Sequence, residues 1–371
     1  MIFSCEKQIL SDAVSTVMKA AGNKASMPVL EGILIHTDED SIILKANNLE
    51  LGIECRIPAQ IREDGAIVTG DVRIFYEVIR KLPPGMVDIT VQDNFSMTVK
   101  NGKSVYNIVG MNPEEFPELP EVLEDSGITL TAETLKKMIR RTVYAAAIKN
   151  ERPALTGVFF EIEPEVIHMV ALDGFRMAIH NEPLSENPDE EPYSFIVPAR
   201  TLLELSKILG DDETPVRITA STKHVLFTVE NTKIVSRLLS GEYFQYRQII
   251  PTDFKIQTQL QMRDLLTCVE RADPIVSTDV YKNPVVMTLS GDTLAIDCIT
   301  AVGKAHDVIE IPDCGSEIRI GFNQRYLHDA LSACDCEEII LEFNGNRNPC
   351  IIRPAEGDEF LFMVLPVRIS E

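Results

Sequence analysis

VRIFYEVIRKL (72–82) returns twice along the chain, as ARTLLELSKIL (199–209) and QRYLHDALSAC (324–334). Arg73, Arg200 and Arg325 hold one place in the three stretches. Phe75, Leu202 and Leu327 follow two residues later, and Leu82, Leu209 and Cys334 close them. Apolar residues spaced three and four apart give each helix one buried side. A second helical pattern precedes each of these, in SDAVSTVMKAAG (11–22), TAETLKKMIRRTVYAAAIKN (131–150) and QMRDLLTCVERA (261–272), anchored at Leu10, Leu135 and Leu265. The two patterns alternate three times at a period of about 125 residues, too long for a stacked solenoid of 20–50-residue units.

Between the helices, alternating apolar and polar residues punctuated by turns predict antiparallel strands. VDITVQDNFSMTVKNGKSVYNIVG (87–110) reads as three strands with a hairpin at Asn101-Gly102. PVRITASTKHVLFTVENTKIVSRLLSG (215–241) and EEIILEFNGNRNPCIIRPAEGDEFLFMVLPV (337–367) follow the same plan. Each copy is therefore an α+β unit of two helices and antiparallel sheet, and the three copies divide the chain at 1–120, 128–250 and 252–371. NPEEFPELPEVLEDSG (112–127), rich in proline and acids, predicts a solvated linker. The more aromatic EYFQYRQIIPTDFKIQ (242–257) predicts a junction that packs down.

The 371 residues are 45% apolar and 25% charged, a globular composition, and carry a formal charge of −22. That charge excludes a uniformly basic nucleic-acid coat, though not a local basic patch. No apolar run has the roughly 18–20 residues of a membrane span, and MIFSCEKQIL puts charges where a signal peptide has its apolar centre. A cytoplasmic protein without membrane association is the expectation. The eight cysteines include no C-x-x-C, and Cys334-x-Cys336 has no second pair to complete a zinc site. Free thiols are expected, with no metal and no cofactor.

On a helical wheel Met138, Ile139, Thr142 and Ala146 fall with Leu135, while Lys136, Lys137, Arg140 and Arg141 fall opposite. Arg73 and Arg80 share the polar side of 72–82, and Arg200 and Lys207 repeat that pair. The six helical segments together carry +5 and the remainder −27. Cations gathered on helices of an acidic chain predict a polyanion partner, and duplex DNA, with roughly one charge per 1.7 Å of axis, fits. The chain has no tryptophan and no aromatic–basic interleaving, so single-strand base stacking is not the expected mode.

Catalytic constellations are missing. There is no G-x-G-x-x-G, Walker A or G-x-S-x-G pattern. ALDGFRMA (171–178) offers a hairpin turn at Asp173-Gly174 and a salt-bridge partner in Arg176, but no base or oxyanion donor. A non-catalytic protein is expected. Apart from DNA binding, two other readings fit these residues: an acidic protein-interaction scaffold that never meets DNA, and a metabolic enzyme using Asp173 and Arg176.

MPVLEGILIH (27–36), GDVRIFYEVIRKLP (70–83), FPELP (116–120), RPALTGVFFE (152–161), MVALDGFRMA (169–178), SFIVPARTLLELSKIL (194–209), SGEYFQYRQIIP (240–251), GFNQRYLHDAL (321–331) and LPVRI (365–369) resemble, in order and spacing, the bacterial DNA polymerase III beta subunit, the sliding clamp. The resemblance implies three similar domains of the DNA-clamp fold, closing as a head-to-tail dimeric ring around duplex DNA. It implies a processivity factor whose partners are the replicative polymerase, an ATP-dependent clamp loader and repair proteins. Matched positions make Lys24, Arg73 and Lys149, with Pro153 and Ala154, the DNA-contacting points, to which the wheel adds Arg80, Lys137, Arg141, Arg200 and Lys207. The family's partner-peptide pocket matches Leu155, Leu172, Gly174, Phe175, Arg176, Met177, Ile249, Met363, Val364, Leu365, Pro366, Val367 and Arg368. Leu, Met and Val at a sheet junction form an apolar slot for a peptide's aliphatic or aromatic anchors; the competing reading is interdomain core. Tyr106, with Ile275 and Val276, resembles the subunit contact. Phe175 departs from a common His, Leu365-Pro366-Val367 from Met-Pro-Met, and Phe244 from a usual Pro.

Overall fold

The computed structural model describes residues 1–23, 27–123, 127–184, 191–276 and 283–369. The chain forms two compact units, Met1–Leu135 with Glu204–Leu238, and Lys136–Leu203 with Leu239–Glu371. Six α-helices occur among the described residues: α1 Lys7–Val17, α2 Val72–Lys81, α3 Ala132–Thr142, α4 Ala199–Ser206, α5 Met262–Val276 and α6 Gln324–Ala333. Their starts are dictated locally. Asp71 Oδ1 accepts from Arg73 N at 2.8 Å and Asn323 Oδ1 from Arg325 N at 3.0 Å, so the same cap opens α2 and α6. Phe75, Ile79 and Leu82 are buried on or just after α2, as the periodicity requires.

Helix α3 is shorter than the sequence pattern. It ends at Thr142, where φ is −123° and the hydroxyl donates back to Met138 O at 2.8 Å; Val143–Ala145 adds one 3₁₀ turn. Tyr144-Ala-Ala-Ala reads as helix by propensity. Tertiary packing overrides it, because Ala147 N donates to Leu155 O and Ala147 joins a buried cluster with Leu155, Leu172 and Met177.

In the first unit a 13-stranded sheet includes the strands Leu51–Pro58 and Thr232–Arg237, which pair antiparallel with Thr232 opposite Cys55 and Ser236 opposite Leu51. In the second unit an eight-stranded sheet joins Arg176–Pro183 to Phe360–Val364, with Met177 opposite Met363. Each pairing joins the last strand of one copy to the third long strand of the copy before it. The counterparts left over are Ser104–Met111 and Lys304–Glu310. Among the described residues Lys304–Glu310 pairs only with Thr293–Ile299, and Ser104–Met111 meets a second neighbour only at Gly110 and Met111. One edge of each is open.

The hairpin predicted at Asn101-Gly102 sits one residue further on. Asn101 pairs with Ser104, so the loop is Gly102-Lys103, with Gly102 at φ 56°. The predicted solvated linker packs down in part: Phe116 is buried against Val29, Leu30 and Val68, since an aromatic ring gains more from burial than from water. The second junction packs as expected, with Tyr246 in the buried cluster and Tyr243, Ile250 and Phe254 against it.

Candidate functional site

The Asp173–Arg176 turn links the strands Val166–Leu172 and Arg176–Pro183. Asp173 Oδ1 accepts from Phe175 N and Arg176 N, and Gly174 takes φ 94°, which favours a residue without a Cβ. The turn thereby presents Phe175, 59% exposed, stacked on Tyr326 of α6 at 6.2 Å. Arg176 turns inward instead. Its guanidinium donates to Asp173 at 3.0 Å and to Asp329 of α6 at 2.5 Å, and lies over the rings of Tyr326 at 4.6 Å and Tyr144 at 5.4 Å. Burying a guanidinium without such partners would cost its full desolvation.

The matched pocket residues divide into floor and rim. Leu155, Leu172, Met177 and Met363 belong to one buried cluster, and Val364 is wholly buried, so these five are core. Leu365 and Pro366 are half-buried, while Gly174, Phe175, Ile249, Val367 and Arg368 are exposed. Leu365 N donates to Phe175 O at 2.9 Å, which ties the C-terminal segment to the turn. The result is an apolar floor with an aromatic and aliphatic rim. Sequence reasoning missed Tyr326, Tyr144 and Asp329; the only local signal is that Tyr326 follows the recurrent arginine of the third copy.

The helix cations meet different fates. Arg141, read from the wheel as a DNA contact, is corrected: its side chain is 3% exposed, paired with Asp335 and, at 2.8 Å, with Glu359, and its guanidinium sits 4.7 Å over Phe360. The wheel treats α3 as isolated, whereas the end of α3 packs against segments some 190 and more residues away. Lys137 is half-buried and joins Glu359 at 3.1 Å; Arg140 pairs with Asp335 at 2.6 Å. These donors hold the Glu359 carboxyl down to about 2, its bond from Arg141 weighing most. Beside them His180 is fully buried, Nδ1 accepting from Arg141 at 3.2 Å and Nε2 facing Glu182 at 3.1 Å; burial holds it below its usual value.

Arg80 and Lys207 are exposed but paired locally, Arg80 with Glu77 within α2 and Lys207, just past α4, with Glu204, at 2.9 Å each. Arg73, Lys149 and Arg200 are exposed with no ion pair among the described residues. Pro153 is exposed on the 3₁₀ turn Pro153–Thr156, whereas Ala154 is buried beneath it, so its methyl is not a contact point. Lys24 lies outside the described residues. Tyr106 is exposed on the open edge of Ser104–Met111, and Ile275 and Val276 are half-buried at the end of α5.

Glu161, Glu163 and His168 stand within metal-ligand reach of one another. Arg247 donates to Glu161 at 2.8 Å and Glu163 at 3.1 Å, and the Tyr246 hydroxyl donates to Glu161 at 2.6 Å, so the carboxylates already have partners. All eight cysteines are free thiols, six of them buried. No helix among the described residues is long and apolar enough to cross a membrane.

Sequence models of the DNA polymerase III beta subunit match in order, the N-terminal domain over residues 1–120, the central domain over 129–245 and the C-terminal domain over 247–368. The chain is 33% identical to the beta sliding clamp of Halalkalibacterium halodurans, over 99% of this chain and all of that protein. It is 31% identical to that of Bacillus subtilis over the same shares. Among solved structures, the Bacillus subtilis DNA polymerase sliding clamp superposes with a TM-score of 0.94 at 30% identity, over the whole of both chains. The Streptococcus pneumoniae DNA polymerase III beta chain superposes with 0.92 at 27%, over 99% of each.

Proposed function

The chain belongs to the DNA polymerase III beta subunit family, the beta sliding clamps, and on that footing we propose that it is a non-catalytic processivity factor that encircles duplex DNA and tethers the polymerase to it. The observation that carries this reading is the pair of open strand edges. Two copy-to-copy seams are closed by one kind of strand pairing, and the third pairing of that kind lacks its partner among the described residues. A second molecule arranged head to tail supplies it twice, giving a closed dimer of about 83 kDa from chains of 41.4 kDa. Transferring the register of the existing seams puts Tyr106 opposite Ala305 and Val105 opposite His306. Ile275 and Val276, at the end of α5, complete that contact.

Closure lets DNA be retained without tight grip. Arg73, Lys149 and Arg200, exposed and without an ion pair among the described residues, screen phosphates loosely enough for sliding, while the acidic remainder repels DNA elsewhere. The floor and rim at the Asp173–Arg176 turn take the apolar anchors of short peptides from polymerase, clamp loader and repair proteins. The free thiols fit the reducing cytoplasm. Loader-assembled protein on nicked circular DNA tests the reading: it stays bound through gel filtration and is lost once the circle is cut. Equal retention on circular and linear DNA contradicts encirclement. An acidic scaffold without DNA binding predicts no retention on either.

A further inference from the structure

The segment that follows Phe360–Val364 bridges two sheets. Leu365 N bonds Phe175 O, and Val367 N donates to Gly321 O at 2.8 Å on the edge of the four-stranded sheet. Gly321 permits the approach, because a Cβ there would meet Ile369 Cγ1 at 2.9 Å and Val367 O at 3.0 Å. Beside this segment lies a cleft of about 850 Å³. Three separate elements bring arginines to it: Arg319 from the strand Ile318–Phe322, Arg347 from the loop after Glu338–Phe343, and Arg368 from the segment itself. Asn346 joins them, and Pro366, Val367 and Ile369 form an apolar wall; among the described residues no carboxylate lines the cleft. None of the three arginines has an ion pair among the described residues, although the chain holds 57 acids to 35 cations. Arg141, Arg176, Arg247 and Arg353 all have carboxylate partners.

We propose that this cleft receives an acidic flank of the partner peptide whose apolar anchors fill the neighbouring pocket, an inference that rests on the peptide-binding reading above. Pro366, Val367 and Arg368 line both places, so a peptide seated on the rim continues directly into the cleft. Guanidinium forks match carboxylates in paired geometry, and arginine clusters are a recurrent means of reading acidic motifs. The wall of Pro366, Val367 and Ile369 suits a peptide, whose carboxylates alternate with aliphatic groups, better than a phosphodiester strand, whose charge repeats at every unit.

Fluorescence anisotropy on the full-length protein tests this with two labelled peptides that share one apolar anchor of leucine and phenylalanine, flanked on both sides by Asp-Glu pairs or by Ser-Gly pairs. The acidic peptide binds about tenfold tighter at low salt, and the gap narrows as salt is raised. Arg319→Ala combined with Arg347→Ala abolishes the gap and leaves the neutral peptide's affinity unchanged, which also reports intact folding. Equal affinities in the unsubstituted protein overturn the cleft assignment and leave the pocket standing. Failure of both peptides to bind overturns the pocket and the inference together. If the gap survives in the double variant while binding of a labelled single-stranded oligonucleotide falls, the arginines serve nucleic acid and the inference is wrong.

Discussion

The two copy-to-copy seams use one strand pairing with different chemistry beneath it. Thr232–Ser236 against Leu51–Cys55 is closed by backbone bonds and side chains such as Thr232, Val235 and Ile53, with the half-buried Lys45–Glu54 pair nearby. Arg176–His180 against Phe360–Val364 adds two buried arginines, Arg141 and Arg176, each holding acids from distant segments. Copies can therefore be joined without a buried arginine, since among the described residues Arg141 and Arg176 are the buried ones and both lie at the second seam. The ionic layer accompanies the seam that also builds the peptide pocket, where Phe175 and the C-terminal segment must be held in fixed relation.

The sharpest way to break the contrast is Arg176→Ala. It strands Asp173 and Asp329, which are 13% and 24% exposed, and removes the cation between Tyr144 and Tyr326. A loss of about 3 kcal/mol at the second seam is expected, measured by hydrogen exchange of Phe360–Val364, together with weaker binding of the neutral peptide. Arg141→Ala should cost less, about 2 kcal/mol, because Asp335 and Glu359 are 30% and 52% exposed and water takes over part of the pairing. Gly321→Ala pushes on Val367 and Ile369 and should cost about 1–2 kcal/mol, read as lost protection of Val367 N–H. At the first seam, Lys233→Ala, opposite Glu54, should change stability by only about 0.5 kcal/mol in the same assay. A large effect there would erase the contrast.

The smallest effect is on pH. His180 is held neutral in the folded seam, whereas an unfolded histidine takes a proton near 6.5, so its contribution is full above about 6.5 and declines as pH falls below that. Glu359, held at about 2, loses its contribution only between about 4.5 and 2. His180→Gln should therefore flatten the exchange profile of the second seam just below pH about 6.5 and leave the acid limb below 4.5 in place.

Most of the fold is legible in the sequence because its signals are local. The recurrent arginine, the apolar spacing of Phe75, Leu202 and Leu327, and the alternating strands each declare themselves within a dozen residues. The Asp173-Gly174 turn and the Arg176 ion pair are likewise local. What escaped depends on partners far along the chain. Arg140 and Arg141 look alike on a wheel, yet one is exposed and the other buried, since Phe360 and Glu359 come to the second only through the strand pairing. Tyr326 gives no hint of a role until α6 is placed beside Phe175. Phe116, inside an acidic proline-rich run, is hidden from composition because one ring packs while its neighbours stay wet.

If the open edges are a third seam of the same kind, residues 106 and 305 of two molecules face each other at a spacing a disulfide can span. Oxidation of the Tyr106→Cys, Ala305→Cys double variant, with each single variant as control, should convert it to a covalently closed dimer in non-reducing electrophoresis. Only monomer, or an open-ended ladder of multimers, would contradict the account.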